Sequence, residues 1–173
     1  MMMVHVAYIA LGSNLGDRRA NIDEAIRRLG ATEGIRVMKV SSMYDTEPVG
    51  GPPQPNYLNA ACEVETELSP HELLRAALAI EDAMGRRREV HWGPRNIDID
   101  LLLCGDAVIE DEDLTLPHPL MADREFVLRP LAEIAPEATH PVKKREIRVL
   151  LDTVQGPFRR KKVSRRRKKK TQK

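Results

Sequence analysis

From Tyr57 to Glu67 the chain alternates without a break, with Leu58, Ala60, Cys62 and Val64 on one side and Tyr57, Asn59, Glu63 and Glu65 on the other. A period of two means a strand with one dry face. Just beyond it the period changes. Ser69 stands where an N-cap belongs, Pro70 takes the first helical position, and Glu72 completes a capping box. Leu73, Leu74, Ala77, Leu78, Ile80 and Met84 then recur at helical spacing, and Gly85 follows the last of them. A strand running straight into a fully punctuated helix needs further strands to cover its edges and a face to hold the helix.

The remaining segments supply them. Val4 to Leu11 reads as a buried strand, Gly12 to Gly16 as a turn, and Asp17 to Leu29 as a helix with Gly30 as its left-handed cap. Ile35 to Tyr44 is predicted as one strand, and Asp45 to Asn56, with four prolines and two glycines, as loop. Ile97 to Leu103 is a strand, and Gly105-Asp106 a hairpin turn into Ala107 to Ile109. Arg124 to Ile134 reads as a helix interrupted near Pro130, and Lys143 to Val154 as one more. The order β, α, β, β, α, β predicts an α+β fold: a ferredoxin-like split βαβ core, a mainly antiparallel sheet with helices packed on it.

Charge divides the chain in two. Residues Arg159 to Lys173 hold 11 of the 28 basic side chains and no acid, which leaves 17 basic against 26 acidic groups, a net of −9, in the body. We expect one domain over residues 1–157 and a basic, disordered tail over 158–173. The tail is expected to be solvated, with at most weak attraction to nucleic acid or another polyanion. No apolar run is long enough to span a bilayer and no leader is evident, so no membrane partner is expected. Cys62 and Cys104 form no CxxC and fit a reducing cytoplasm.

The chemistry concentrates in a few places. Asp98 and Asp100, two apart on a strand, point together, while Ile97, Ile99, Leu101 and Leu103 are expected on the opposite face. Paired carboxylates suit magnesium, a hard cation that keeps waters and bridges to phosphates; the alternative is the solvated face of an edge strand. The loop entering that strand carries Arg86, Arg87, Arg88, Arg95 and the single tryptophan, Trp92. Arginine forks match phosphate oxygens and an indole can stack on a base; the alternative is a basic surface loop anchored by Trp92. Glu81 falls within the apolar arc of its helix, either at the edge of the core or aimed into a site. Gly12-Ser13-Asn14-Leu15-Gly16 lacks the lysine of a P-loop and reads as a plain strand-to-helix turn. Tyr57 and Asn59 share a strand face, an aromatic plate beside an amide. His118 is fixed between Pro117 and Pro119; no histidine spacing indicates zinc, and no nucleophile motif is present.

Several of these strings closely resemble the 6-hydroxymethyl-7,8-dihydropterin pyrophosphokinases of folate biosynthesis. They are Ala7 to Gly16, Tyr44 to Gly50 (YDTEPVG), Gln54 to Ala60, Trp92 to Leu103 (WGPRNIDIDLLL), Pro117-His118-Pro119 and Arg124 to Leu128. The resemblance implies transfer of diphosphate from ATP to the hydroxymethyl group of the pterin, with release of AMP. It implies that Asp98 and Asp100 hold two magnesium ions, and that these two with Arg86 and Arg95 are the catalytic residues. Arg86, Arg88, Arg95 and His118 would contact phosphates or nucleotide, with Glu81, Trp92, Leu101 and Thr115 beside the nucleoside. Tyr57 and Phe126 would sandwich the pterin, and Asn59, with backbone groups around Thr46 and Val49, would bond its edge. Leu120 and Ala122 stand where many relatives carry basic or His residues, so no contact is carried over there. By the same resemblance a monomer is expected. An RNA-binding sheet is the rival from another class, although the body is acidic and lacks aromatic RNP strings; a relative that binds ATP without turnover is a third possibility.

Overall fold

The structure, a computed structural model, describes residues 3–85, 94–154 and 162–163, the last pair by backbone alone. The sheet is built on β1 (His5–Ser13), which lies antiparallel between β4 (Tyr57–Thr66) and β5 (Asp98–Cys104). Along the outer edge of β4 run β2 (Ile35–Val40) and then β3 (Met43–Thr46). With α1 (Arg18–Ala31) following β1 and α2 (Pro70–Ala83) following β4, this is the split βαβ arrangement predicted.

Each face of the sheet has its own core. Ile9, Leu11, Cys62 and Val64 meet Ile22 and Leu29 of α1 and Leu73 and Ala77 of α2. On the other face Ala61, Leu102 and Leu103 meet Val127, Leu128 and Leu131 of α3 (Glu125–Ile134) and Leu150 of α4 (Ile147–Val154). Burial on both faces explains why Asn59 and Ala61 are covered although the alternation assigned their face to polar groups. Among the described residues no helix is long and apolar enough to cross a membrane.

Local signals decided α2. Ser69 accepts from Glu72 N–H and the Glu72 carboxylate accepts from Ser69 N–H, a reciprocal cap that contributes about 1 kcal/mol. At α1 the Asp17 carboxylate caps Ala20 N–H. Gly30 is not its C-cap: the helix continues to Ala31, and Thr32 N–H donates to the Leu29 carbonyl.

Other expectations are corrected by pairing. The single strand Ile35 to Tyr44 is broken at Ser41, whose hydroxyl oxygen takes the Ala61 N–H that a strand carbonyl would have taken. β3 runs through Thr46, so the loop begins at residue 47. The alternation in β5 also fails midway. Tyr8 pairs with Leu103 but Ile9 pairs with Leu101, a β-bulge that adds Leu102. Leu103 therefore packs with Leu102 in the α3 core, opposite to the face expected. Gly105 does make a turn, yet β6 (Ile109–Glu110) pairs with β7 (Thr115–Leu116) rather than with β5. There the Asp111 carboxylate, accepting from Asp113 and Leu114 N–H, forms the turn.

α3 runs through Pro130 without a break, because Val127, Leu128 and Leu131 are held in the core while the proline forfeits one ladder bond. α4 begins only at Ile147. Before it, β8 (Thr139–His140) and β9 (Arg145–Glu146) make a small hairpin around the buried His140, whose Nδ1 accepts from Val142 and Lys143 N–H. Within the basic tail, β10 (Lys162–Val163) pairs with Tyr44 and Met43 of β3.

Candidate active site

At the C-terminal end of β1, adjoining strand ends and loops enclose one cleft. Its floor is Ala10 and Gly12 of β1, paired with Asp100 and Asp98 of β5. β3 and its following loop contribute Thr46 and Val49, β4 contributes Tyr57 and Asn59, and α3 contributes Phe126 near its N-terminus. Arg95, His118 and Arg124 complete the charged part of the lining.

The aromatic and amide end is tightly built. Asn59 Nδ2 donates to Thr46 Oγ1 across the β3–β4 pair, and both residues are buried. Gly12 is required here by close approach: a Cβ at this position would lie 3.0 Å from Asn59 Oδ1 and 3.5 Å from the Tyr57 ring. The Arg124 guanidinium lies over the Phe126 ring, 5.4 Å from its centroid. α3 is pinned to the break between β2 and β3, where the Glu133 carboxylate accepts from Ser42 N–H and the Tyr44 hydroxyl. Burial and then the Glu133 charge push that hydroxyl up to about 12, so it stays a donor.

The charged end carries the predicted carboxylates. Asp98 and Asp100 lie on one face of β5 as the alternation required, both lining the cleft, with Arg95 Nε 3.8 Å from Asp98 Oδ1. One guanidinium nitrogen of Arg95, Nη1, is buried with no hydrogen-bond partner among the described residues. A buried cationic donor left without an acceptor is costly, which favours an anionic ligand beside it. His118 Nδ1 accepts from Leu120 N–H, and the His118 backbone N–H donates to the Leu102 carbonyl. Burial, with the Arg124 charge, pushes the imidazole pKa below its ordinary value. The neutral ring then carries its proton on Nε2.

Between the two ends sits Asn14, almost fully buried. It bonds Arg95 on one side and Gln54 and Pro55 on the other. The turn that presents it is fixed by Asn21 of α1, which donates to Ser13 Oγ and the Leu15 carbonyl, and by Gly16 at φ +67°. Arg18 of α1 donates to the Asn56 carbonyl and pairs with Asp45, while Asn56 Nδ2 donates to the same carboxylate. Both ends of the loop over residues 47–56 are thereby tied to α1.

The structure thus brings Thr46, Val49, Tyr57, Asn59, Arg95, Asp98, Asp100, His118 and Phe126 into one lining. It places three other expected residues elsewhere. Glu81 is buried behind β5, where its carboxylate accepts from Ile99 N–H and caps the outer edge of the carboxylate strand. Leu101 packs its side chain in the α1–α2 core, on the face opposite the carboxylates. Thr115 lies exposed on β7. Arg86, Arg88 and Trp92 lie outside the described residues. Sequence reasoning missed Gly12, Asn14, Gln54 and Arg124 as site residues. The first two stood in a motif read as a plain turn. Neither cysteine is a nucleophile: burial pushes the Cys62 thiol up to about 12 and raises that of Cys104.

The chain is similar to known proteins in sequence and in fold. A sequence profile of the 7,8-dihydro-6-hydroxymethylpterin-pyrophosphokinase (HPPK) family matches residues 8–136. The 2-amino-4-hydroxy-6-hydroxymethyldihydropteridine pyrophosphokinase of Bacillus subtilis is 51% identical over 132 residues, covering 76% of this chain and 79% of the relative. The protein of the same name from Methylorubrum extorquens is 53% identical, covering 76% and 83%. The folic acid synthesis protein fol1 of Schizosaccharomyces pombe is 46% identical over 147 residues, of which this chain spans only 20% of the length. A crystal structure of Plasmodium falciparum HPPK-DHPS shares the fold, with a TM-score of 0.69 at 17% identity, covering 88% of this chain and 43% of that one. The chain belongs to the 7,8-dihydro-6-hydroxymethylpterin-pyrophosphokinase family.

Proposed function

We propose that the protein transfers the diphosphate group of ATP to the hydroxymethyl group of 6-hydroxymethyl-7,8-dihydropterin in folate biosynthesis, giving the pterin diphosphate and AMP. One observation carries this reading: the aromatic-amide end and the carboxylate-arginine end open into a single cleft on one side of β1. A flat heteroaromatic ring fits between Tyr57 and Phe126, with its edge toward Asn59, Thr46 and the backbone near Val49. A triphosphate fits against Arg95, His118 and the Asp pair, with Arg86, Arg88 and Trp92 on the nucleotide side.

The hydroxymethyl oxygen attacks the β-phosphorus in line. A bond forms there as the bond from that phosphorus to the oxygen bridging the α-phosphorus breaks, AMP leaves, and the alcohol proton passes to solvent. Such a transfer depends on positioning and charge neutralisation more than on a strong base. The unpartnered Nη1 of Arg95 leaves a donor for phosphate oxygen, and the Nε2 proton of His118 is a second, neutral donor. No residue is assigned as a base.

The donor set fits magnesium. Two hard carboxylates share a strand face, and among the described residues no cluster of three or more His, Cys, Asp or Glu suited to a metal occurs. The other coordination positions fall to water and phosphate oxygens, as magnesium favours. Asp98 and Asp100 would hold two ions, which when bound neutralise charge on the triphosphate.

We further propose a cytoplasmic monomer whose basic tail, apart from the pairing of Lys162–Val163 with β3, is solvated and has weak affinity for polyanions. Incubation with ATP, magnesium and the hydroxymethyl pterin is expected to release AMP only when the pterin is present. ADP formation, or release independent of the pterin, would overturn the reading; ATP binding without turnover would mark a relative that has lost catalysis.

A further inference from the structure

Asn14 is 2% exposed, and its planar amide is bonded on both sides. Oδ1 accepts from Arg95 N–H at 2.7 Å, and the Asn14 N–H donates to the Arg95 carbonyl at 2.9 Å. Nδ2 donates to Gln54 Oε1 at 2.9 Å and to the Pro55 carbonyl at 3.0 Å. Two of these partners are backbone groups of fixed polarity, an N–H and a carbonyl, so the amide has one satisfied orientation.

Each partner leads to a different end of the cleft. Arg95 lines the charged end and stands three residues before Asp98. Gln54 lines the cleft too, and Pro55 is two residues before Tyr57. The turn carrying Asn14 is tied to α1 by Asn21, so the amide is anchored independently of both loops. A rigid bridge of this kind makes the placement of one loop depend on the other.

We infer that Asn14 is a positioning residue that couples the two substrate subsites: nucleotide held at Arg95 orders the Gln54–Pro55 segment for the pterin, and pterin orders Arg95 in return. This rests on the proposed function, since it takes the two ends of the cleft to bind nucleotide and pterin. Linkage requires the coupling to be reciprocal, each ligand raising the affinity of the other by the same factor.

The two sides of the amide can be cut separately. Asn14→Asp keeps an oxygen for Arg95 N–H and replaces the donor facing Pro55 and Gln54 with an acceptor. Asn14→Ala removes both sides. Gln54→Ala, in the loop, removes one strut and leaves the core untouched. Titrations use magnesium with an ATP analogue carrying a methylene between its α- and β-phosphates, and 6-hydroxymethylpterin, each alone and in the presence of the other, with thermal melting to confirm folding.

In the unsubstituted protein each ligand is expected to tighten the other by about tenfold. In Asn14→Asp the analogue alone should bind within about threefold of normal while the mutual effect falls to about one; Gln54→Ala should lie between. A purely structural role would weaken both ligands together and leave the mutual factor intact, and that result would overturn the inference. Absence of coupling in the unsubstituted protein would overturn it as well. If Asn14→Asp does not fold, an undiminished factor in Gln54→Ala decides against it. Failure of the unsubstituted protein to bind either ligand would instead refute the functional reading beneath it.

Discussion

Gly12→Ala tests whether the strand-end glycine exists to make room for the Asn59 amide. Gly12 does not have a positive φ, so alanine is conformationally acceptable there. The added Cβ would stand 3.0 Å from Asn59 Oδ1, where ordinary contacts begin at 3.4 Å. Asn59 cannot yield freely, because Nδ2 is bonded to Thr46 Oγ1 within a buried strand pair. Overpacking of this size costs about 1–3 kcal/mol, and displacing the amide also weakens one hydrogen bond of about 1 kcal/mol to the pterin edge. Part of the strain is relieved by lower strand entropy, where alanine gains about 0.5–1 kcal/mol over glycine. The net expectation is a melting temperature lowered by up to about 10 °C and a pterin affinity reduced by about fivefold. The other near neighbours of the new methyl are the Tyr57 ring and the Leu58 carbonyl, so nucleotide affinity should hold. Calorimetric titration of each ligand reads both numbers. Unchanged pterin affinity, or an equal loss for nucleotide, would refute the steric reasoning.

Asp98→Ala and Asp100→Ala should each lower AMP formation by at least about a hundredfold while the far-ultraviolet spectrum and melting stay native; near-normal turnover in either would remove the metal assignment. Tyr57→Ala should weaken the pterin by about tenfold or more and ATP much less, and equal losses would count against stacking. His140 has its pKa pushed below the ordinary 6.5 by burial, with the Lys143 charge adding to it. The unfolded chain therefore takes up its proton first, so stability from this group is complete above about pH 6.5 and is lost as pH falls through the folded value. His140→Asn, which keeps an acceptor for Val142 and Lys143 N–H, should flatten the stability curve below pH 6.5, and denaturant melts that still fall as steeply as normal would contradict this. Truncation after Pro157 removes the β10 pairing and the basic run; turnover should persist while salt-sensitive retention on polyanion columns disappears, and lost turnover would show that the tail serves catalysis.

The legible parts of this protein are those written locally. α2 is bounded by the mutual bonds of Ser69 and Glu72, which need no tertiary partner, and the common direction of Asp98 and Asp100 follows from strand geometry alone. What escaped was set by pairing. The bulge at Leu102 exists only in register with β1, so the turnover of Leu103 to the other core could not be read from an apolar run. Ser41 looks like any strand serine until Ala61 N–H is known to face it. Glu81 was recognisably out of place in an apolar arc, but its partner, Ile99 N–H, lies across the fold. Gly12 and Asn14 sat in a short turn whose meaning depends on three segments arriving from elsewhere: Gln54–Pro55, Asn59 and Arg95.

The proposed reaction requires one cleft to present a pterin hydroxyl to the β-phosphorus. The most direct measurement uses ATP labelled in the γ-phosphate, with magnesium and 6-hydroxymethyl-7,8-dihydropterin, and separates all products. Label is expected in the pterin product, which carries two phosphates, with unlabelled AMP in equal amount. Label in a pterin monophosphate beside ADP, or label only in free phosphate, would contradict that reaction.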